Sequence, residues 1–182
     1  VKDVLGYSQL NKEQGTFEKV DLNQVLEGIM NDFELLIAQS GARIVYSELP
    51  VVDGLQLQMS QLFANLISNS LKFCREDVSP EITIRTSLLT EDEMKARNIK
   101  PEKGPYFKIE VSDNGIGFKE EYADQIFNIF QRLHGKADYA GTGIGLSICK
   151  KIVQNHAGDI YASGGEGRGA SFHIILPEQQ KN

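Results

Sequence analysis

The chain has 182 residues, a net charge of −6 and a hydrophobic fraction of 41%. At roughly 100–200 residues per domain, this is the length of one domain with at most a short appendage. The composition excludes a collagen-like, wholly disordered or disulfide-stapled chain, the acidic balance argues against nucleic-acid binding, and neither a membrane-length apolar run nor a secretory leader is present.

The first half of the chain predicts alternating helices and short strands. Residues 1–14 have loosely helical spacing and read as the end of a longer helix. Apolar residues at 3–4 spacing from Leu22 to Ile37 predict a helix, with Asp21 and Gln24 as a capping box and Gly41 as its stop. Further on, we expect strands at 43–47 and 51–52, a helix at 57–73 and a strand at 81–87.

The second half predicts more strand than helix. Residues 90–104 are rich in charges of both signs and predict a solvated loop with at most one helical turn. We then expect a strand at 106–113, helices near 120–130 and at 144–156, and a hairpin of strands 159–163 and 170–176. Because strands and helices are segregated, the pattern favours an α+β two-layer sandwich, with a mixed, mostly antiparallel sheet and about three helices on one face.

The helix segment NLISNSLKF gathers polar side chains on one face. At 100° per residue, Asn69 lies about 40° from Asn65, Lys72 about 20° to the other side and Phe73 about 80° round. An amide oxygen can ligate Mg²⁺, and a lysine supplies a point charge for phosphate. Taken alone, this face is equally well explained as an ordinary polar helix surface.

The segment DNGIGF follows the strand 106–113. Asp113 is in phase with the apolar residues of that strand, so its carboxylate is predicted to point to the core. An unpaired buried carboxylate is costly, and it therefore needs a donor such as the exocyclic amine of a purine. Gly115 and Gly117 would let the backbone approach a ligand closely. The alternative is a simple Asn-Gly turn.

The segment GTGIGL opens the last predicted helix. Alternate glycines at a helix N-terminus expose backbone N–H groups and the positive end of the dipole, which suits phosphate. The spacing fits neither the P-loop nor the dinucleotide-binding pattern, and a flexible loop is the alternative.

Four segments resemble, in this order along the chain, the N, G1, F and G2 boxes of the catalytic and ATP-binding domain of sensor histidine kinases, within the Bergerat-fold (GHKL) superfamily. They are NLISNSLKF, DNGIGF, FNIF and GTGIGL. The resemblance covers about residues 17–177 and implies ATP and Mg²⁺ as cofactors. The opening VLGYSQL resembles the end of the family's dimerisation and phosphotransfer hairpin. We therefore expect a hairpin remnant at 1–16 and the catalytic domain at 17–182.

The resemblance implies a role for each matching position. Asn69 would ligate Mg²⁺, Asp113 would accept from the adenine amine, and Lys72 and Arg132 would contact phosphate. Asn65, Lys72 and Arg132 are the implied catalytic residues. The other implied nucleotide contacts are Phe73, Gly115, Gly117, Phe127, Gly141, Thr142, Gly143, Gly145 and Leu146. Arg132 falls in the family's lid, at about 131–142, where His134, Lys136 and Tyr139 are expected to be loop residues.

One departure bears on mechanism. ATP-hydrolysing relatives carry a glutamate one helical turn before the metal-binding asparagine, but this chain has Asn65 there, and asparagine is no general base near neutral pH. The resemblance thus implies transfer of the γ-phosphate to a histidine upstream of this sequence, since no histidine here has the expected acceptor context. An aspartate of a response-regulator receiver domain would then take the phosphate.

The resemblance also implies a full-length homodimer, formed through the hairpin, and a catalytic domain that contacts neither nucleic acid nor membrane. Two cysteines without a CxxC pattern fit a cytoplasmic location. Two other functions stay open: a serine kinase of the anti-sigma-factor type, against which VLGYSQL argues, and a nucleotide-responsive binding module without transfer.

Overall fold

The computed structural model describes residues 15–100, 104–130 and 142–180. Residues 1–14 of the expected hairpin remnant lie outside this range. The elements are β1 (Glu18–Asp21), α1 (Leu22–Asp32), α2 (Glu34–Ser40), β2 (Arg43–Tyr46), β3 (Val51–Gly54), α3 (Gln56–Lys72), β4 (Glu81–Leu88), α4 (Glu91–Ala96), β5 (Tyr106–Asp113), 3-10 turns at Glu120–Tyr122 and Gln125–Phe127, α5 (Gly145–Asn155), β6 (Asp159–Gly165) and β7 (Gly169–Pro177).

A five-stranded mixed sheet forms one layer of the molecule. Its strand order is β2-β4-β5-β7-β6, with β2 and β4 parallel and the other pairs antiparallel. Strands β1 and β3 form a separate antiparallel pair. The expected α+β sandwich with a mostly antiparallel sheet is therefore confirmed.

The apolar core lies between one face of the sheet and the helices α1, α3 and α5. Alternate residues of the central strands are buried there, because successive side chains of a strand point to opposite faces. Ile84 of β4 pairs with Val111 of β5, and Val111 pairs with Phe172 of β7. All three belong to the same buried cluster as Leu26, Leu66 and Ile152 of the helices. This agrees with the expectation of about three helices on one face.

The opposite face of the sheet carries α4, which was expected to be a loop with at most one turn. Thr90 and Glu93 form a capping box that begins this six-residue helix. Met94 packs against a small buried cluster with Tyr106 and Ile175. Ile175 alternates with the core residue Ile174, so this cluster lies on the other side of the sheet.

The first long helix differs from its prediction in two ways. It breaks at Phe33 into α1 and α2, and none of the residues of α2 is fully buried. The apolar stripe continues there only through Ile37, which is partly buried against the core. Asp21 does cap α1, but its carboxylate accepts from the backbone N–H of Asn23 at 2.9 Å. The predicted capping-box partner Gln24 is exposed. Gly41 ends α2 in the left-handed conformation, as expected.

The helix predicted near 120–130 is wrong. The segment forms two three-residue 3-10 turns, and only Ile126 and Phe127 are buried in them. Ala123, Ile126 and Phe127 have the i, i+3, i+4 spacing of a helix and pack against the core. The backbone N–H groups of Tyr122, Ala123 and Asn128 nevertheless donate three residues back, which is the hydrogen bonding of 3-10 turns. Strand β1 was not predicted because Val20 is its only buried residue.

Candidate functional site

The polar face of α3 lies beside the first turn of α5. Asn65, Asn69 and Lys72 are half-buried on this face, while the opposite side of α3 is core. The side-chain amide of Asn65 donates to the carbonyl of Gly145 at 3.4 Å. Lys72 Nζ lies 4.4 Å from the ring centre of Phe73. The structure thus brings together the first and third motifs, which are 80 residues apart.

Asp113 at the end of β5 is held by three donors. Its Oδ1 accepts from the backbone N–H of Gly115 at 2.9 Å and of Ala170 at 3.1 Å. Its Oδ2 accepts from the hydroxyl of Ser70 at 3.0 Å. Burial raises the pKa of the Asp113 carboxyl, and the three hydrogen bonds oppose that shift. A carboxylate has about four acceptor sites, so the donors of the described residues leave one site on Oδ2.

The glycines of the second motif allow close backbone packing. The backbone N–H of Ile116 donates to the Phe73 carbonyl at 2.9 Å, and a Cβ at Gly115 would lie 2.2 Å from that carbonyl oxygen. Gly117 has φ +64°, and a Cβ there would lie 2.0 Å from the Gly165 oxygen. These glycines fix the turn after β5 against the end of α3 and the β6–β7 hairpin.

The third motif is described from residue 142 onward. Gly143 has φ +71°, and its carbonyl accepts from the backbone N–H of Phe130 at 3.1 Å. Gly145 begins α5, which has eleven residues, and Leu146 is half-buried beside it. Thr142 is exposed. The N-terminus of α5 therefore lies beside the polar face of α3, and a helix N-terminus suits an anion.

Phe127 connects the F-box segment to the sheet. Its ring is buried and stands edge-on to Phe172 of β7, with the ring centres 6.5 Å apart. Lys150 Nζ lies 5.9 Å from the centre of the Phe127 ring. The sequence-predicted residues Arg132, His134, Lys136, Tyr139 and Gly141 lie outside the described residues.

Three residues of the site were missed by the sequence analysis. Ser70 is buried and donates to Asp113, and its only signal in the sequence is a polar side chain in the core register of a helix. Ala170 contributes only its backbone N–H. Arg75 donates from Nη1 to the Gly167 carbonyl at 2.9 Å, which ties the end of α3 to the hairpin. A polar residue at a core position, as at Ser70, is the only one of these signals that the sequence carries.

Cys149 and His156 are buried in the core. Cys74 and Cys149 are free, and burial raises the pKa of the Cys149 thiol to about 12, so it is not a nucleophile. His156 is buried: its Nδ1 lies 2.7 Å from the Ile152 carbonyl, and its Nε2 accepts from the Leu55 N–H. Within the three described ranges, no group of three or more His, Cys, Asp or Glu side chains could hold a metal ion.

Comparison with known proteins identifies the family. The sequence profile described as "Histidine kinase-, DNA gyrase B-, and HSP90-like ATPase" matches residues 54–180. The chain belongs to this family. It is an ATP-binding catalytic domain of the type found in two-component sensor kinases. The predicted family, fold and nucleotide class are thereby confirmed.

Two curated relatives span nearly the whole chain. Cyanobacterial phytochrome A of Nostoc sp. (strain PCC 7120 / SAG 25.82 / UTEX 2576) is 38% identical over 177 residues, which cover 97% of this chain and 21% of that protein. Sensor protein kinase WalK of Staphylococcus saprophyticus is 33% identical over 182 residues, covering 97% and 28%. The chain therefore spans less than a third of the length of either relative.

Solved structures share the fold. The nucleotide-free catalytic domain of the histidine kinase ThkA superposes with a TM-score of 0.70 at 23% identity, covering 91% of this chain and 97% of that one. A complex of ThkA with the response regulator protein TrrA gives a TM-score of 0.69 at 22% identity, covering 97% and 46%. None of the helices in the described part of this chain is both long and apolar enough to cross a bilayer.

Proposed function

We propose that this domain binds Mg²⁺-ATP and transfers the γ-phosphate to a histidine on a helical hairpin upstream of the domain, for relay to an aspartate of a response regulator. The observation that carries the proposal is the half-buried Asp113 carboxylate, which accepts from three donors of the described chain and keeps one acceptor site on Oδ2. A 6-amino purine supplies the missing donor.

The other motif residues provide for the rest of the nucleotide. The amide oxygen of Asn69 is a suitable ligand for Mg²⁺, which in phosphate sites is held by few protein oxygens together with the phosphates. When bound, Mg²⁺ neutralises charge on the phosphate oxygens. Lys72 would contact phosphate, as would Arg132 beyond the described residues.

The remaining contacts surround the base and the phosphates. We propose Phe73 and Phe127 as the apolar contacts of the base region. Gly115 and Gly117 form the turn beside it. Close approach of the phosphates to the start of α5 would use Gly141, Thr142, Gly143, Gly145 and Leu146.

The residue types at the site favour transfer over hydrolysis. Asn65 takes the position where a water-activating carboxylate would stand, and its amide already donates to Gly145. Phosphoryl transfer depends mainly on positioning and charge neutralisation. A bond forms between the histidine nitrogen and the γ-phosphorus, and the bond from that phosphorus to the bridging oxygen breaks, so ADP leaves. Lys72 and Arg132 would stabilise the charge on the transferred group.

The proposed partners rest on the relatives. WalK is a sensor protein kinase by name, and ThkA has been solved in complex with a response regulator. We infer the same kind of partner here, together with a hairpin that makes the full-length protein a homodimer. The free thiols of Cys74 and Cys149 support a reducing, cytoplasmic location.

A mixing experiment tests the proposal. The domain, Mg²⁺ and γ-labelled ATP are incubated with a separately expressed hairpin that carries the acceptor histidine. Acid-labile, base-stable label on the hairpin is expected, and a hairpin with that histidine replaced by glutamine should stay unlabelled. Label on a serine would instead favour the serine-kinase function. Tight nucleotide binding without label would favour the binding module, and rapid ADP release without the hairpin would contradict the role given to Asn65.

A further inference from the structure

Ser70 is a buried hydroxyl at the inner side of the proposed nucleotide site. It lies on α3 next to Asn69 and is 2% exposed. Its Oγ is 3.0 Å from Oδ2 of Asp113. An ionised carboxylate can only accept, so the hydroxyl donates its single proton to Asp113. The serine oxygen is then left with acceptor sites only.

Every group that holds Asp113 within the described chain is a neutral donor. The three elements packed around it contribute the hydroxyl of Ser70 from α3, the backbone N–H of Ala170 from β7 and the backbone N–H of Gly115 from the turn after β5. Burial raises the pKa of Asp113, these three bonds lower it, and no charged side chain is among the causes of the shift. Ser70 is the only one of the three donors that a substitution can remove without changing the backbone.

The charge state of Asp113 decides whether it accepts a hydrogen bond from a purine or donates one to it. As an ionised carboxylate it only accepts, and it therefore matches a 6-amino group. If it were protonated, its O–H would donate and would match the carbonyl of a 6-oxo purine. A hydrogen bond to the ionised form favours that form.

Building on the proposed function, we propose that Ser70 is a positioning residue that makes the site select 6-amino over 6-oxo purine nucleotides, by keeping Asp113 an ionised group that only accepts hydrogen bonds. Ser70 acts through Asp113 and needs no contact with the nucleotide itself. Removing the hydroxyl leaves the carboxylate buried with two donors in place of three.

The test compares ATP with ITP in excess Mg²⁺ between pH 5 and 8, by titration calorimetry. Both nucleotides carry the same triphosphate, so the ratio of their dissociation constants isolates the base. We expect ATP affinity to decline about one pH unit higher in Ser70→Ala than in the wild type, because the ionised form of Asp113 loses one hydrogen bond. As the pH falls, the variant's ATP-over-ITP preference should disappear at a higher pH than in the wild type. The control Ser68→Ala, on the same helix, should behave as wild type.

The outcomes separate this inference from the proposed function. If the wild type binds neither nucleotide, the proposed function fails. If the wild type prefers ATP but Ser70→Ala keeps the wild-type ratio at every pH, the role of Ser70 is overturned. An equal, pH-independent loss for both nucleotides would also overturn it, because that is what a merely structural residue would produce. Should Ser70→Ala not fold, Ser70→Cys keeps the size and weakens the donor, and it should show a smaller shift in the same direction.

Discussion

Replacing Asp113 by asparagine should separate nucleotide binding from folding. The asparagine oxygen can take the place of Oδ1, which accepts from the backbone N–H groups of Gly115 and Ala170. Its amide nitrogen then stands where Oδ2 was and donates to the oxygen of Ser70. The two backbone donors keep their acceptor, and the Ser70 oxygen gains a donor while its proton loses the carboxylate. Because the desolvated charge is removed at the same time, we expect a small net cost to the fold.

The pH dependence of stability also indicates that Asp113→Asn does not destabilise the fold at neutral pH. Burial raises the folded-state pKa of Asp113 above its ordinary value of 3.8. A carboxyl with a raised folded-state pKa stabilises the fold below its unfolded pKa, and this contribution is lost as the pH rises through the folded pKa. At pH 7 the desolvated charge of Asp113 therefore destabilises the fold, and asparagine removes that charge. We expect the midpoint of urea unfolding of Asp113→Asn to equal or exceed that of the wild type.

Binding should respond in the opposite direction. The base amine loses a hydrogen bond to a charged acceptor, worth about 1.5–3 kcal/mol, and meets a donor in its place. This corresponds to a dissociation constant for Mg²⁺-ATP that is raised roughly 10- to 100-fold. Titration calorimetry measures it, with Asp32→Asn on the exposed end of α1 as the control. Unchanged affinity in a folded Asp113→Asn would refute the assignment of the base to this carboxylate.

Four further substitutions probe other parts of the structure. Asn69→Ala should weaken ATP binding in Mg²⁺ but leave binding in EDTA unchanged; an unaltered magnesium titration would contradict the metal role. Gly169 has φ +87°, and a Cβ there would lie 1.9 Å from the last carbonyl oxygen of β5, so Gly169→Ala should lower the unfolding midpoint strongly. A Cβ at Gly28 in α1 would meet no other atom, so Gly28→Ala should raise the free energy of unfolding by about 0.5–1 kcal/mol. Equal effects of Gly28→Ala and Gly169→Ala on stability would contradict this difference in packing. Burial lowers the pKa of His156, whose Nε2 accepts from the backbone N–H of Leu55. The free energy of unfolding should therefore fall as the pH drops below about 6.5. In urea titrations, His156→Gln should make the free energy of unfolding less dependent on pH.

Elements with a long regular apolar period were predictable from the sequence. The helix expected at 57–73 is α3 at Gln56–Lys72, and the strand expected at 106–113 is β5 with the same bounds. In α3 the buried residues repeat at the helical spacing, and in β5 the core residues Ile109 and Val111 alternate with residues on the other face, so local pattern and tertiary burial agree. The same period gives the phase of the motif residues along α3 and β5, on which the proposed site depends.

Elements that depend on tertiary contacts were not predictable. Strand β1 exists because β3 pairs with it, and its one buried residue leaves no alternation to detect. The segment 120–130 buries two adjacent residues in 3-10 turns, a pattern that resembles a short helix when only composition is considered.

The hydrogen-bond partners of Asp113 likewise depend on tertiary contacts and could not be predicted from the sequence. Ser70 lies 43 residues earlier in the chain and Ala170 lies 57 residues later. Only the fold brings these two donors to one carboxylate. The sequence could predict that the carboxylate is buried and needs a donor, but it could not say which donors the chain itself provides.

A titration of the ¹⁵N-labelled domain with Mg²⁺-ATP, followed by two-dimensional NMR, tests the central claim most directly. The backbone amides of Gly115 and Ala170, which donate to Asp113, should shift saturably together with that of Gly145 at the start of α5. Saturable shifts confined to α4, on the opposite face of the sheet, or no shifts at all, would contradict a nucleotide site between α3, β5 and α5.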